Sequence, residues 1–281
     1  MPSLHDVPAP AKLNLFLHVT GRRPDGYHLL QSVFVLIDWQ DTLHFETQAS
    51  GQLRRHDLGQ ALPADDLVLR AARLLQTHSG TRLGADIHID KRVPAQAGMG
   101  GGSSDAASCL LALNRLWRLG LDLPALEHLG LQLGADVPFF LRGQNAWVEG
   151  IGEHITPLEL PPACFDVIKP QAGVDTASIF RSPNLQRSTK PATLADFAAD
   201  PYGFGHNDLQ PVAQALCPEI AQAIDWLSRS GQQARMTGSG SAVFAHCASG
   251  SPAVQVPDHW TYRRCSKMEV HPLWGWASSD V

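Results

Sequence analysis

The sequence predicts a two-domain protein of mixed helix and strand that holds a phosphorylated ligand, and three observations carry that prediction. First, Gly98, Gly100, Gly101 and Gly102 crowd into five residues between a strand-like run and a helix-like run. Second, a Gly/Ser-rich stretch over 236–241 lies late in the chain between strand-like flanks. Third, 281 residues suffice for two cores, and Pro161-Pro162 falls near the middle, where a domain boundary is expected.

Residues 11–19 alternate Leu13, Leu15, Leu17 and Val19 against Lys12, Asn14, Phe16 and His18, the period of a half-buried strand with Lys12 and Asn14 on one face. A turn over 20–26 leads into a second strand at 27–37, rich in β-formers, with Tyr27 and His28 at its start. Spacing alone favours capping of the sheet edge for these two. Weaker strand signals lie at 42–46 and 53–57. Val68, Ala71, Ala72 and Leu75 fall at i, i+3, i+4 and i+7 after Asp65 and Asp66, which predicts a packed helix. Ile87 and Ile89 then alternate with His88 and Asp90 to give the strand before the glycines.

Glycine reaches positive φ without a Cβ clash, so the loop can aim several backbone N–H groups at one anion, and a following helix adds the positive end of its dipole. Ala106, Leu110, Leu113 and Trp117 share a helical face, which sets that helix to begin near Ser103. No Gly-Lys-Ser/Thr closes the loop, and Gly98-x-Gly100-x-x-Ser103 lacks the third glycine of a dinucleotide fingerprint, so this is a third kind of anion loop. A flexible linker would not be framed by an apolar strand and a periodic helix.

A short helix at 124–131 precedes Asp136, a lone carboxylate among small and apolar residues. Pro138 pushes Val137 toward extended geometry, which puts Asp136 at a turn. The residues alone favour a cap bonding local N–H groups over a reactive acid. In the second half a strand is expected at 165–169, short helices at 176–180 and 194–199, and an amphipathic helix through Ile220, Ala223, Ile224 and Leu227. The 234–245 stretch reads blandly as a hairpin turn, but two such loops in one chain point to a shared nucleotide site. From Trp274 the tail reads as frayed.

A net charge of −5 argues against a general nucleic-acid surface. Five widely spaced cysteines without a Cys-x-x-Cys pair indicate neither a disulfide framework nor a zinc site, which fits a reducing cytoplasm. Thirteen histidines are scattered without metal-ligand spacing, so no metal ligands are assigned. The N-terminal residues lack a signal-peptide pattern, and no apolar run is long enough to span a bilayer, so neither export nor membrane binding is expected.

Taken together, residues 11–14, the Pro94-x-x-x-Gly98-x-Gly100-x-x-Ser103-Ser104 loop and the 236–241 loop resemble the three motifs of the GHMP kinase superfamily. Within it the chain is most similar to the bacterial 4-diphosphocytidyl-2-C-methyl-D-erythritol kinases. That likeness rests on Ala11-Lys12-Leu13-Asn14-Leu15, Arg23-Pro24-Asp25-Gly26-Tyr27-His28, residues 133–140, Gly150-Ile151-Gly152-Glu153 and Asn207-Asp208-Leu209, and it runs from residue 11 to at least 245. One departure is Gln96, where the family more often has a small residue.

The resemblance implies an α+β two-domain fold, with an N-terminal domain like ribosomal protein S5 domain 2 over 1–160 and a ferredoxin-like domain over 161–281. The active site is expected in the cleft between them. It further implies ATP- and Mg²⁺-dependent phosphorylation of the 2-hydroxyl of 4-diphosphocytidyl-2-C-methyl-D-erythritol, in the non-mevalonate route to isoprenoid precursors. Lys12 and Asp136 match the family's catalytic pair, which reverses the preference for Asp136 as a cap: it would accept the hydroxyl proton, with Lys12 orienting the nucleophile. Pro94, Ala95, Gln96, Ala97, Gly98, Met99, Gly100, Gly101, Gly102, Ser103 and Ser104, with Gly238, Ser239 and Gly240, would bind ATP, one of the two serines meeting phosphate or Mg²⁺. Asn14, Tyr27, His28, Thr176 and Phe180 would hold the cytidine end. Two alternatives stand beside this reading: a GHMP kinase for another small alcohol such as mevalonate or homoserine, against which Pro24 to His28 speak, and a silent ATP-binding module, which would have no need of Lys12 and Asp136.

Overall fold

Two long strands, β1 (Ser3–Arg22) and β2 (His28–Gln48), form the spine of the molecule and run antiparallel from a turn in which Gly26 takes φ +93°. The computed structural model describes residues 2–229, 231–248 and 250–277. Both strands exceed the expected spans, and the weak signal at 42–46 is the far end of β2. The expected half-burial of β1 is corrected: Lys12, Asn14, Phe16 and His18 are as enclosed as the leucines between them. The cause is long-range, since Phe197 and Phe204 from the second half pack against Phe16, tilted at 5.9 Å and edge-on at 5.2 Å.

β3 (Leu53–Asp57), β4 (Gly84–Asp90), β5 (Ala146–Gly150) and β6 (His154–Pro157) complete a six-stranded sheet in the order β3-β4-β2-β5-β6, with β1 paired to β2. Four helices, α1 (Leu67–Ser79), α2 (Gly101–Leu116), α3 (Leu123–Leu133) and α4 (Val137–Arg142), pack with it around one apolar cluster. Asp66 caps α1 by accepting from Leu69 N at 3.1 Å, and its predicted stripe of Val68, Ala71, Ala72 and Leu75 is buried. Each such Leu or Val contributes roughly 1.5–3 kcal/mol relative to exposure. The central helix α2 is buried on nearly every side, its small residues admitting β1 and α1 at close range: Ser108 Oγ donates to Pro8 O at 2.7 Å.

The second half contains β7 (Cys164–Lys169), α5 (Thr176–Arg181), α6 (Leu194–Ala198), α7 (Gln210–Leu216), α8 (Pro218–Ser228), β8 (Ala234–Met236), β9 (Val243–Cys247) and β10 (Thr261–Ser266). Its four strands form an antiparallel sheet in the order β10-β7-β9-β8, against which α8 lays Ile220, Ala223 and Leu227. β10 has no counterpart in the sequence reading, because Arg263 and Arg264 mask its alternation; Arg264 is paired with Asp166 of β7 at 2.8 Å. Nor does α4: Val137 is helical rather than extended, since Pro138 sits in the first turn, where its missing N–H costs nothing.

The chain then returns to the first half. Met268 N donates to Leu36 O at 2.9 Å and His271 N to Gly143 O at 2.7 Å. The expectation of a frayed tail from Trp274 fails through Ala277, for Leu273 and Ala277 are buried in the first core and the Arg115 guanidinium lies 4.8 Å over the Trp276 ring. Residues 278–281 lie outside the described residues. Among the described residues no helix is long and apolar enough to cross a membrane.

Candidate active site

The glycine loop is fixed at its entry by a buried carboxylate. Asp41 accepts from Arg92 N at 2.5 Å and Val93 N at 2.7 Å, and it also takes Lys91 Nζ, which reaches Asp105 at 2.6 Å. Burial holds the Asp105 carboxyl above the usual range, with Lys91 pulling the other way and Asp41 reinforcing the rise. Beyond that anchor Gly98 and Gly100 both take φ +70°. A Cβ on Gly98 would lie 2.2 Å from Thr237 O, and one on Gly100 2.8 Å from the Phe140 ring, so both positions require glycine. Gln96, the departure from the family pattern, also takes positive φ at 51°.

α2 begins at Gly101 behind Gly100, which supplies no side-chain cap. The first-turn N–H groups therefore point into the cleft, an arrangement suited to phosphate. The second loop is fastened on the other side: Ser241 N donates to Gln96 O at 3.0 Å and Ala242 N to Ala97 O at 3.2 Å. Together they wall a cavity of about 800 Å³ lined by every residue from Pro94 through Ser103, with Ser239 and Gly240. Ser104 is absent from that lining; it is fully buried and its Oγ has no partner among the described residues, which leaves Ser103 as the serine facing the cleft.

A smaller cavity of about 170 Å³ continues from the first and holds Lys12, Asn14, Asp136, Thr176, Phe180 and Gly238. Lys12 Nζ stands 3.5 Å from Asp136 Oδ2 and donates to Asn14 Oδ1 at 2.5 Å, over the Phe34 ring at 4.5 Å. Strand β1 presents Lys12 and Asn14 on one face, as alternation predicts. Asn14 is itself held by Thr237 Oγ1, which accepts from its backbone N at 2.9 Å, and by Ser32 at 3.0 Å. Asp136 occupies the position preceding α4 but makes no side-chain capping bond, so its carboxylate is left to face Lys12 and the cavity.

The third cavity, about 780 Å³, opens from Asp136 and Thr176 towards Tyr27, His28 and Phe180. His28 and Phe180 stack at 5.0 Å and 32°, while Tyr27 stands exposed at the rim. Burial, reinforced by the charges of Arg187 and Arg22, lowers the His28 pKa below its ordinary value, so the ring is neutral. Thr176 Oγ1 and Ser239 Oγ lie 2.7 Å apart and bridge the aromatic pocket to the second loop. The three cavities thus form one continuous cleft with Lys12 and Asp136 at its waist.

Chains of this kind are known. The GHMP kinases N terminal domain matches residues 66–144 and the GHMP kinases C terminal domain matches residues 190–266, together more than half of the chain. The chain belongs to the GHMP kinases. Within them it belongs to the 4-diphosphocytidyl-2-C-methyl-D-erythritol kinases: the enzyme so named from Paracidovorax citrulli is 62% identical with both chains covered in full, and that from Delftia acidovorans is 62% identical over 100% of this chain and 99% of its own. A crystal structure of 4-(cytidine 5′-diphospho)-2C-methyl-D-erythritol kinase superposes with a TM-score of 0.76 at 33% identity, covering 95% of this chain and 99% of that one. Homoserine kinase from Cytophaga hutchinsonii shares the fold, at 17% identity and a TM-score of 0.64, covering 89% of this chain and 86% of its own.

Sequence reasoning gave no role to several groups on which this GHMP kinase cleft depends, although Asn207 stands in a motif that carries the resemblance. Asn207 donates from Nδ2 to Met236 O and Gly238 O, both at 2.8 Å, and so holds the second loop. Arg187 lies between the expected helices at 176–180 and 194–199, yet it meets His28. Asp41, 0% exposed, went unassigned because an acid in a β-forming run does not show its burial, and its partners Lys91, Arg92 and Val93 lie far along the chain.

Proposed function

We propose that this GHMP kinase transfers the γ-phosphoryl group of ATP to the 2-hydroxyl of 4-diphosphocytidyl-2-C-methyl-D-erythritol, a step of the non-mevalonate route to isoprenoid precursors, in the cytoplasm. The observation that carries the reading is the single cleft whose waist holds Lys12 beside an uncapped Asp136, with a glycine loop on one side and an aromatic pocket on the other. Full-length identity of 62% to enzymes of that name supports it.

ATP lies with its phosphates against the glycine loop and the first turn of α2. The cytidine end sits among Tyr27, His28 and Phe180, with Asn14 and Thr176 as polar neighbours. This brings the methylerythritol hydroxyl to the waist, where Asp136 accepts its proton as the oxygen attacks the γ-phosphorus and ADP leaves. Lys12 holds the carboxylate and the nucleophile in line and offsets charge on the transferred group. Such transfers depend on positioning and charge stabilisation more than on covalent chemistry, and a well-placed base contributes roughly 10²–10⁴-fold.

Among the described residues no group of three or more His, Cys, Asp or Glu side chains could hold a metal ion. The Ser103 hydroxyl on the phosphate cavity fits Mg²⁺ arriving with ATP, which keeps several of its waters and takes few protein oxygens. Bound there, it would supply neutralisation of the β- and γ-phosphate charge. We divide the chain into domains at 160/161, with residues 267–277 returning to the first core.

The test is ADP release from Mg·ATP with 4-diphosphocytidyl-2-C-methyl-D-erythritol, beside mevalonate, homoserine and no acceptor. Release with the cytidylated alcohol alone is expected. Release with another acceptor would remove the cytidine pocket from the reading, and none with any acceptor, from folded protein that binds ATP, would leave a silent module.

A further inference from the structure

We propose that Arg187 sets the base preference of the cleft by fixing the tautomer of His28, so that a cytosine head group is taken over a uracil. The inference deepens the function proposed above and rests on its assignment of the aromatic pocket to the pyrimidine end.

An arginine side chain carries donors only and is never neutral in a protein. Arg187 Nε lies 3.1 Å from His28 Nε2, so that nitrogen must present its lone pair. A neutral imidazole has one N–H, which is therefore on Nδ1. Neutrality follows from the surroundings, since burial and two nearby guanidinium groups, Arg187 and Arg22, disfavour a second proton. The guanidinium cannot swing away at little cost, because it also donates to Leu185 O at 3.0 Å, Phe180 O at 3.1 Å and Ser182 O at 2.6 Å. The lock is thus built on the end of α5, the helix that carries the other ring of the pocket, Phe180. His28 lines the cavity, and its Nδ1–H has no hydrogen-bond partner among the described residues.

Cytosine and uracil have almost the same shape and differ along one edge. Cytosine offers a lone pair at N3 beside an amino group; uracil offers N3–H beside a carbonyl. A ring nitrogen held as a donor pairs with cytosine N3 and meets a second donor on uracil. Without Arg187 the imidazole can shift its proton to Nε2 and accept from uracil N3–H instead. A donor facing a donor in an enclosed site forfeits the bond and leaves both groups unsatisfied, worth roughly tenfold or more in selectivity.

The experiment compares wild type, Arg187→Met, which keeps the length of the side chain without its donors, and Arg187→Lys, which restores one. Binding of cytidine 5′-diphosphate and uridine 5′-diphosphate is measured by calorimetry with the ATP site filled by a non-hydrolysable ATP analogue. The His28 tautomer is read from its ¹⁵N shifts, with melting curves as the control for folding. Wild type is expected to show the Nδ1–H tautomer and to bind the cytidine ligand at least about tenfold more tightly. Arg187→Met should show mixed tautomers and lose most of that ratio, and Arg187→Lys should recover part of it. An Nε2–H tautomer in wild type, or a folded Arg187→Met with an unchanged binding ratio, would overturn the proposal. Because this readout needs no turnover, failure of the kinase reaction would count against the proposed function and leave the tautomer question to be decided on its own data.

Discussion

Asp136 has two roles open to it by position, and its hydrogen bonding speaks against the cap. It stands at the N-terminus of α4, where an aspartate ordinarily caps, yet its side chain makes no capping bond and instead lies 3.5 Å from Lys12 Nζ. Asp136→Asn is expected to keep its melting temperature and ATP affinity while losing roughly 10²–10⁴ of kcat; near-normal turnover would return the residue to a structural role. The same logic separates the two serines. Ser103→Ala should raise the KM for ATP, whereas Ser104→Ala removes a buried hydroxyl without a partner and should leave stability unchanged or raised by up to about 1 kcal/mol in a denaturant titration. Neither distinction is legible in the residues themselves. Ser103 and Ser104 are chemically identical neighbours, and a lone acid among apolar residues suits cap and base equally, so only backbone geometry or a family likeness can choose.

At the scale of the element, local signals carried furthest where they report burial. The stripe of α1 and the strand before the glycines have the periods that sequence shows, and the structure has them at the expected places. The glycine loop was legible for the same reason, since four glycines in five residues have few uses. Its shape was not, because it depends on the second loop some 140 residues away. Gly98→Ala would drive a methyl group to 2.2 Å from Thr237 O at a φ that disfavours any side chain, so a loss of about 2–4 kcal/mol and of measurable ATP binding is expected by thermal melt and calorimetry. Asp122→Ala, which deletes the cap on α3 that accepts from Ala125 N at 3.0 Å, should cost about 0.5–2 kcal/mol and leave the kinetics alone. β10 and α4 escaped notice because an arginine pair disguises one and a helix-start proline disguises the other.

For the whole molecule the decisive terms are those shared between halves, which composition cannot register. Two enclosed histidines show how they enter stability. Burial, aided by His206, lowers the His18 pKa from 6.5 to about 4, and burial alone lowers that of His271 to about 3. As pH falls below about 6.5 the unfolded chain takes up protons that the folded one refuses, so stability declines on acidification towards pH 4, by at most about 1.4 kcal/mol per pH unit for each group. His271→Asn retains an acceptor for Leu273 N, which Nδ1 now receives at 3.0 Å, and should flatten the acid limb of stability against pH; an unaltered slope would exclude His271 as a source.

The return of residues 267–277 to the first core gives the second half a chain crossing at each end of its sequence, and between them β1 holds it through Val19 N to Asp208 and Arg235 to Leu15 O. One strand thus serves both halves, so a cut at either crossing would break the chain and leave them joined through β1 and the core they share.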